Sequence, residues 1–138
     1  MSAIRAKNTR PELLVRSQLH SDGFRFRLHN KELPGKPDLT LKKYRAVIFI
    51  NGCFWHKHEC DLFKWPKSRR DFWQKKLSGN HTRDKSNYGE LSRLNWRVCL
   101  VWECALKGKN KLSPEQCMTE LRTWLLSQEP FAEVKGRG

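Results

Sequence analysis

Cysteine and histidine side chains are concentrated in one short stretch, and their types suit a bound metal ion. Cys53, His56, His58 and Cys60 lie close together, and Cys104 follows a later apolar run. Zinc takes four nitrogen and sulfur ligands in a tetrahedron, and a site with all four positions filled is structural. The spacing predicts a zinc site of three cysteines and one histidine, and it leaves open whether His56 or His58 is the ligand. Reduced thiols near surface histidines are the alternative.

Asp38 is the second residue whose position suggests chemistry. Pro37 and Asp38 follow a basic turn and precede a hydrophobic strand, which is typical of the start of the PD-(D/E)xK nuclease pattern. Phosphodiester hydrolysis needs a hard cation, and Mg²⁺ prefers carboxylate and water oxygens, so Asp38 is the predicted magnesium anchor. The acid and the lysine of the next strand are missing, because Ile50, Asn51 and Gly52 stand there. An ordinary turn aspartate is therefore the competing interpretation.

Capping and hydrophobic patterns predict the elements of the first half of the chain. Thr9, with Glu12 three residues later, has the form of a capping box and predicts a helix over 10–22. The apolar face of this helix is expected to carry Leu13, Leu14 and Leu19. Alternating and apolar runs then predict a strand over 24–28, a turn over 33–37, extended structure over 38–41 and a central strand over 46–50.

The second half of the chain continues the alternation of helices and strands. Similar patterns predict helices near 69–78 and 81–94, a core strand over 96–102 and a helix from the Ser113 capping box to 126. The tail over 127–138 has no packing pattern and is expected to be mobile. This order predicts an α/β fold, a three-layer sandwich around a mixed β-sheet. The length suits one domain over 1–138.

The charge of the chain indicates its partner. The formal net charge is +14, because 28 lysines and arginines oppose 14 aspartates and glutamates. Nucleic acid is the expected partner, ahead of an anionic membrane, and basic residues interleaved with aromatic ones through 63–76 favour a binding face. A solvated basic surface is the alternative. No apolar run is long enough to cross a membrane, and the N-terminus lacks the apolar core of a signal peptide, so a cytoplasmic protein is expected.

Several collinear stretches strongly resemble the very short patch repair endonucleases. They are Leu-Pro-Gly-Lys-Pro-Asp at 33–38, Tyr-Arg-Ala-Val-Ile-Phe at 44–49, Gly-Cys-Phe-Trp-His at 52–56, His58-x-Cys60, Phe72-Trp73 with Asn80 and Arg83-Asp84, and Val-Trp-Glu-Cys-Ala-Leu at 101–106. The resemblance implies a nuclease-like α/β core with a structural zinc held by Cys53, His58, Cys60 and Cys104. It also implies Mg²⁺ held by Asp38 and by the backbone carbonyl of Ile50, which explains why that position needs no second acid.

The same resemblance implies catalytic roles for Asp38, His56, Asp84 and Glu12. His56 matches the catalytic histidine of the family, and a neutral imidazole can accept a proton from the attacking water. Asp84 matches an acid that helps to orient this site, and Glu12 matches one that reaches the magnesium ion through water. From the residues alone, His56 would be a loop histidine and Glu12 only a capping residue.

DNA-binding roles are also implied. Phe54, Trp55 and Trp73 match the aromatic residues that such enzymes insert into the base stack beside a mismatch, where unstacking is cheapest. Core packing is the competing role. Four further residues are expected to bind DNA: Lys64, Arg69, Arg70 and Asn51. Relatives commonly have histidine in place of Asn51, close to the scissile phosphate, and asparagine can donate a hydrogen bond but cannot deliver a proton.

The expected function is that of a monomeric DNA mismatch endonuclease. The resemblance implies Mg²⁺-dependent nicking of double-stranded DNA on the 5′ side of the thymine in a T·G mispair left by 5-methylcytosine deamination, before downstream repair proteins act. A restriction-like enzyme that cuts both strands as a dimer is one alternative. A zinc-stabilised DNA-binding module without catalysis is the other.

Overall fold

Three α-helices and five strands make up the part of the chain that this computed structural model describes, residues 9–60 and 62–137. In chain order they are α1 (Arg10–Ser21), β1 (Arg27–Leu28), β2 (Leu39–Leu41), β3 (Ala46–Asn51), α2 (Arg70–Arg93), β4 (Arg97–Trp102), α3 (Pro114–Leu125) and β5 (Phe131–Val134). Short 3₁₀ helices follow β2 and β4. The sequence predicts no signal peptide at the N-terminus, and that segment lies outside the described residues. None of the described helices combines the length and the apolar character that a membrane span requires.

The strands form one mixed sheet in the order β1-β2-β3-β4-β5. β2 pairs antiparallel with β1 and with β3, and β4 lies parallel to both β3 and β5. The pairing of β3 with β4 runs from Ala46 opposite Arg97 to Asn51 opposite Trp102. Because these two strands are parallel and end together, the segments that follow residues 51 and 102 leave the sheet at the same edge.

Two buried clusters cover the two faces of the sheet, because successive side chains of a strand point to opposite faces. One face carries Ile48, which belongs to a cluster with Val15 of α1 and Leu121 of α3. The other face carries Val47, which belongs to a cluster with Leu91 of α2. The predicted α/β fold with a mixed sheet is therefore confirmed, and the helices lie in layers on both of its faces.

α2 is one continuous helix, whereas the sequence predicts two helices near 69–78 and 81–94. The prediction of a break is wrong because Gly79 costs only about 1 kcal/mol relative to alanine inside a helix, and full burial of a leucine contributes about 1.5–3 kcal/mol. Leu77 and Leu91 of this helix are both fully buried. The Asn80 side chain also donates a hydrogen bond to the Trp55 carbonyl at 3.1 Å, which ties the middle of the helix to the loop after β3.

α1 begins where the sequence predicts, but it buries a different face. The Thr9 side chain accepts a hydrogen bond from the Glu12 backbone N–H at 3.3 Å, as an N-cap does. The buried residues are Glu12, Val15 and Leu19, and Leu13 is 46% exposed. Positions three and four apart share a helix face, so 12, 15 and 19 form the inner stripe and 13 does not. The apolar type of Leu13 predicts an inner position, but its spacing places it outside that stripe.

Two further differences concern the edge strands. The predicted strand over 24–28 is confined to Arg27–Leu28, because only this pair is in register with β2. The expectation of a mobile tail over 127–138 is corrected at Phe131–Val134, which form β5 beside β4. A four-residue strand with only Val134 buried gives too short a pattern to be recognised from the sequence.

Candidate active site and metal centres

Three cysteines and one histidine come together at the edge where β3 and β4 end. One ligand atom each from Cys53, His58, Cys60 and Cys104 forms a group whose members all lie within 4.8 Å of one another. The Nδ1 atom of His58 is 3.6 Å from the Sγ atom of Cys53 and 3.6 Å from that of Cys104. The geometry therefore includes His58 in the group. The spacing had left open whether His56 or His58 is the ligand.

The donor set fits a zinc ion. Ligands bound tetrahedrally at about 2.0–2.3 Å would be about 3.3–3.8 Å apart, and the 3.6 Å separations of His58 from the two sulfurs lie in this range. Burial raises the pKa of the Cys53 and Cys104 thiols, so a cation is needed to stabilise their thiolates. Burial lowers the pKa of His58, which keeps the imidazole neutral and able to act as a ligand.

Neighbouring groups fix the orientation of this cluster. The His58 ring stacks on Trp102, with centroids 4.0 Å apart, and the indole N–H of Trp102 donates to Glu133 at 2.7 Å. The Gly136 N–H donates to the Cys104 sulfur at 3.4 Å. The C-terminal segment is therefore part of the surroundings of this candidate metal site, a contribution that the sequence does not reveal.

Asp38 lies immediately before β2, beside the end of β3. Its Oδ2 atom accepts a hydrogen bond from the Ile50 N–H at 2.7 Å. Burial raises the pKa of Asp38 to about 6, and the negative charge of Glu12 adds to the rise. The Ile50 hydrogen bond and the charges of His29 and His56 oppose it, so His56 lies within electrostatic range of the carboxylate.

Glu12 and His29 complete a second group with Asp38. Ligand atoms of the three residues lie within 4.8 Å of one another. Glu12 is 1% exposed, and its Oε2 atom lies 2.7 Å from Nε2 of His29 and 3.3 Å from Nη1 of Arg16. Two carboxylates held close together in a buried place repel each other, and a hard divalent cation would relieve that repulsion. The donors fit Mg²⁺, whereas a ligand role for the Ile50 carbonyl stays a prediction.

His56 and Asp84 form a direct pair. His56 lies in the loop after β3, and its Nδ1 atom is 2.5 Å from Oδ2 of Asp84 in the middle of α2. A carboxylate at Nδ1 fixes the ring orientation and favours the tautomer whose Nε2 atom has a free lone pair. The pair is thus arranged as a general base with its orienting acid, near the carboxylate of Asp38.

The three predicted intercalating residues are close neighbours. The Phe54 ring centroid lies 5.1 Å from that of Trp55 and 5.4 Å from that of Trp73, and the two indoles are 5.9 Å apart. All three side chains are half-buried. We call this group the aromatic cluster. Its rings support one another and still keep accessible surface.

The predicted DNA-binding polar residues fall into two environments. Lys64, Arg69 and Arg70 are exposed, and the Arg69 guanidinium lies 4.3 Å from the centroid of Phe72, whose ring packs against Trp73 of the aromatic cluster. Asn51 is only 3% exposed, and its Nδ2 atom donates a hydrogen bond to the Tyr88 hydroxyl at 3.0 Å.

Two residues of the site were not predicted, His29 and Tyr88. His29 reaches the site through the β1–β2 hairpin, in which its N–H donates to the Asp38 carbonyl at 2.9 Å. No local pattern signals that pairing. Tyr88 follows Asp84 by four residues, a helical spacing that would have placed both on one face had the continuity of α2 been recognised.

Comparison with known proteins gives a consistent picture. The family model described as DNA mismatch endonuclease Vsr matches residues 1–62. The chain is 41% identical over 138 residues to DNA mismatch endonuclease Vsr of Escherichia coli, across 100% of this chain and 88% of that protein. It is 51% identical over 112 residues to the type II nicking enzyme V.XorIIP of Xanthomonas oryzae pv. oryzae, across 81% and 82% of the two chains. It is also 48% identical over 109 residues to the type II nicking enzyme V.NmeAIP of Neisseria meningitidis, across 79% and 78%.

Proposed function

The chain belongs to the Vsr family of DNA mismatch endonucleases, and we propose that it nicks duplex DNA on the 5′ side of the thymine in a T·G mispair and thereby starts repair of deaminated 5-methylcytosine. It is a DNA endonuclease and hydrolyses phosphodiester bonds. The observation that carries the proposal is the convergence of Asp38 with the His56–Asp84 pair at one edge of the sheet. We propose a PD-(D/E)xK-type core that acts as a monomer.

Asp38 would hold Mg²⁺, with the Ile50 carbonyl as a further ligand and Glu12 in contact through water. When bound, the ion polarises the phosphoryl oxygens and lowers the pKa of coordinated water. The hydrogen bond from the Ile50 N–H and the burial of Glu12 support this assignment, because they hold the two carboxylates in fixed positions. His29 keeps the Glu12 carboxylate oriented from the other side.

His56 acts as the general base. Its Nε2 atom accepts a proton from the water that attacks phosphorus, and the Asp84 carboxylate stabilises the imidazolium that forms. The water oxygen forms a new bond to phosphorus as the phosphorus–oxygen bond on the 5′ side of the thymine breaks, and the departing oxygen takes up a proton from water. This role requires that the His56 ring be correctly oriented and close to Asp38. The 2.5 Å contact with Asp84 supplies the orientation.

The aromatic cluster recognises the mismatch. Phe54, Trp55 and Trp73 enter the base stack, and the cost of unstacking, a few kcal/mol, is lowest at a mispair. Lys64, Arg69 and Arg70 are exposed and bind the phosphate backbone, which makes binding salt-dependent. Asn51 is buried, so it acts near the scissile phosphate through the residues that it contacts.

The zinc site is structural. Cys53, His58, Cys60 and Cys104 would occupy all four positions of the ion and join the loop after β3 to the end of β4. This loop also carries His56 and two residues of the aromatic cluster, so its order supports both catalysis and recognition. Removal of zinc by a strong chelator should lower the melting temperature as well as the nicking rate. Unchanged melting after zinc has demonstrably been removed would contradict a structural role.

A nicking assay tests the proposal. The purified chain with Mg²⁺ is incubated with duplexes that carry each mismatch in a panel of methylase target sequences, and with matched homoduplexes. We expect a nick in the thymine strand of T·G duplexes only. Asp38→Ala should abolish cleavage and keep DNA binding. No cleavage of any mismatch in any context would overturn the proposal, and double-strand breaks by a dimer would indicate a restriction-like enzyme.

A further inference from the structure

Tyr88 of α2 reaches the end of β3 and is held there by two contacts. Its hydroxyl accepts a hydrogen bond from Nδ2 of Asn51 at 3.0 Å, and its ring packs edge-on against Phe49 with centroids 5.2 Å apart. Asn51 is 3% exposed and Phe49 is 6% exposed, so both supports belong to the interior. Tyr88 itself is half-buried, and part of its surface stays accessible.

The Tyr88 hydroxyl lies among the groups of the proposed reaction. Tyr88 and Asp84 are four residues apart on α2, so they project from the same helix face, and Asp84 contacts the general base His56. Burial is the main cause of a raised pKa for Tyr88, and the negative charges of Asp84 and Asp38 both contribute. The phenol is therefore neutral and within electrostatic range of Asp84 and Asp38.

The proton of this phenol is available for a substrate. A phenol can accept and donate hydrogen bonds, and the amide of Asn51 takes the acceptor side. Within residues 9–60 and 62–137, Asn51 is the one hydrogen-bond partner of the Tyr88 hydroxyl, so the O–H donor has no acceptor there. A neutral donor that is already oriented beside a phosphate can stabilise charge as it develops on the phosphoryl oxygens.

We propose that Tyr88 is a further catalytic residue, whose hydroxyl donates a hydrogen bond to a non-bridging oxygen of the scissile phosphate while Asn51 positions it. This role rests on the proposed function and deepens it. The amide donor of Asn51 is directed at the Tyr88 hydroxyl. The donor to the phosphate is thus supplied by α2, and the end of β3 holds it in place through Asn51.

Tyr88→Phe removes the hydroxyl and keeps the ring that packs on Phe49. We expect kcat for nicking of a T·G duplex to fall about 10- to 100-fold, with KM changed less than twofold, because the hydrogen bond strengthens in the transition state. Tyr44→Phe is the matched control, since Tyr44 packs against Phe24 and has no part in the site. That variant should nick at the wild-type rate.

Phosphorothioate substrates separate a catalytic hydroxyl from a structural one. Sulfur is a weak hydrogen-bond acceptor, so sulfur at the non-bridging oxygen contacted by Tyr88 should slow the wild type. The same sulfur should slow Tyr88→Phe little further, because the hydrogen bond is already lost. In the other diastereomer, the slowing caused by sulfur and the slowing caused by Tyr88→Phe should multiply.

Asn51→Asp offers a second probe. A carboxylate at this position accepts a hydrogen bond from the phenol and should reproduce the loss seen in Tyr88→Phe.

The outcomes are distinguishable. An unchanged kcat for Tyr88→Phe, or multiplicative effects with both diastereomers, would overturn the role of Tyr88 and leave the proposed nicking function intact. A wild-type chain that nicks no mismatch under any condition would overturn the proposed function and this role together. Non-multiplicative behaviour confined to one diastereomer is the result that supports the assignment.

Discussion

His56 and Asp84 meet at 2.5 Å, although one lies in the loop after β3 and the other in the middle of α2. The contact depends on the continuity of α2, because Asn80 of the same helix also binds the loop through the Trp55 carbonyl. One helix therefore positions both the loop that carries the proposed base and the acid that orients it.

Asp84→Asn should disable the base without disturbing the fold. An amide cannot stabilise the imidazolium, and it can hydrogen-bond the wrong tautomer of His56, so we expect kcat to fall by about 10²- to 10⁴-fold. Affinity for a T·G duplex, measured without Mg²⁺, should stay within twofold. Asp71→Asn is the control, because Asp71 is an exposed acid in the first turn of the same helix. Equal rates for Asp84→Asn and the wild type would remove Asp84 from the mechanism.

The raised pKa of Asp38 makes stability depend on pH when Mg²⁺ is absent. The pKa is about 6 in the folded chain and 3.8 for a free aspartate, so the folded state binds the proton more tightly. Protonation therefore favours folding, and stability is lost as the pH rises from about 4 through about 6. Relative to Asp38→Asn, the wild type should lose on the order of 1 kcal/mol between about pH 5 and pH 7.

Urea unfolding of the zinc-loaded protein in Mg²⁺-free buffer measures this difference. Asp38→Asn removes the titrating group, so comparison of the two proteins cancels the contribution of the other acids and histidines. Addition of Mg²⁺ at neutral pH should restore the stability of the wild type and leave the variant unchanged. Parallel pH profiles of the two proteins would show that the Asp38 carboxylate is not destabilised by folding.

Helix caps and apolar runs are local sequence patterns, and they predict the elements that depend on them. The Ser113 capping box forms as expected, with hydrogen bonds in both directions between Ser113 and Gln116, and β3 and β4 match their apolar runs. The continuity of α2 and the presence of β5 were not predictable, because both depend on burial against distant parts of the chain. Gly79 inside a helix and a strand with one buried residue give misleading local signals.

The candidate site was predictable to a similar extent. The cysteines of the metal cluster followed from residue type and spacing. The spacing left His58 open and the family resemblance implied it, and in the structure His58 lies beside Cys104, just after the neighbouring strand β4. His29 and Tyr88 were missed because strand pairing and helix continuity bring them to the site. Interactions between residues distant in sequence leave no periodic pattern in a single chain.

Thr40→Val should stabilise the protein. Thr40 is 5% exposed, and its hydroxyl has no hydrogen-bond partner within the described part of the chain. A buried hydroxyl without a partner costs about 1–3 kcal/mol, and valine keeps the β-branched shape that suits strand β2. We expect the free energy of unfolding in urea to rise by about 1 kcal/mol. Thr82→Val, at an exposed position of α2, is the control and should have a smaller effect. A less stable Thr40→Val variant would show that the hydroxyl is satisfied by water.

Gly136→Ala should loosen the proposed zinc site from the C-terminal side. The Gly136 N–H donates to the Cys104 sulfur, and a Cβ atom at this position would lie 2.5 Å from the Cys104 carbonyl oxygen and 2.7 Å from that of Asn110. Both oxygens belong to the backbone, so the segment after β5 must move away and the N–H···S hydrogen bond is lost. We expect a destabilisation of about 1–3 kcal/mol and faster transfer of zinc to a chromogenic chelator.

Gly79→Ala is the matched control for this variant. A Cβ atom at Gly79 meets nothing within 4 Å, and alanine in a helix interior is more stable than glycine by about 0.5–1 kcal/mol. The control should therefore melt at a slightly higher temperature and release zinc at the wild-type rate. If Gly136→Ala also released zinc at the wild-type rate, the C-terminal segment would only cover the metal centre, because its hydrogen bond to the Cys104 sulfur would then contribute nothing to zinc retention.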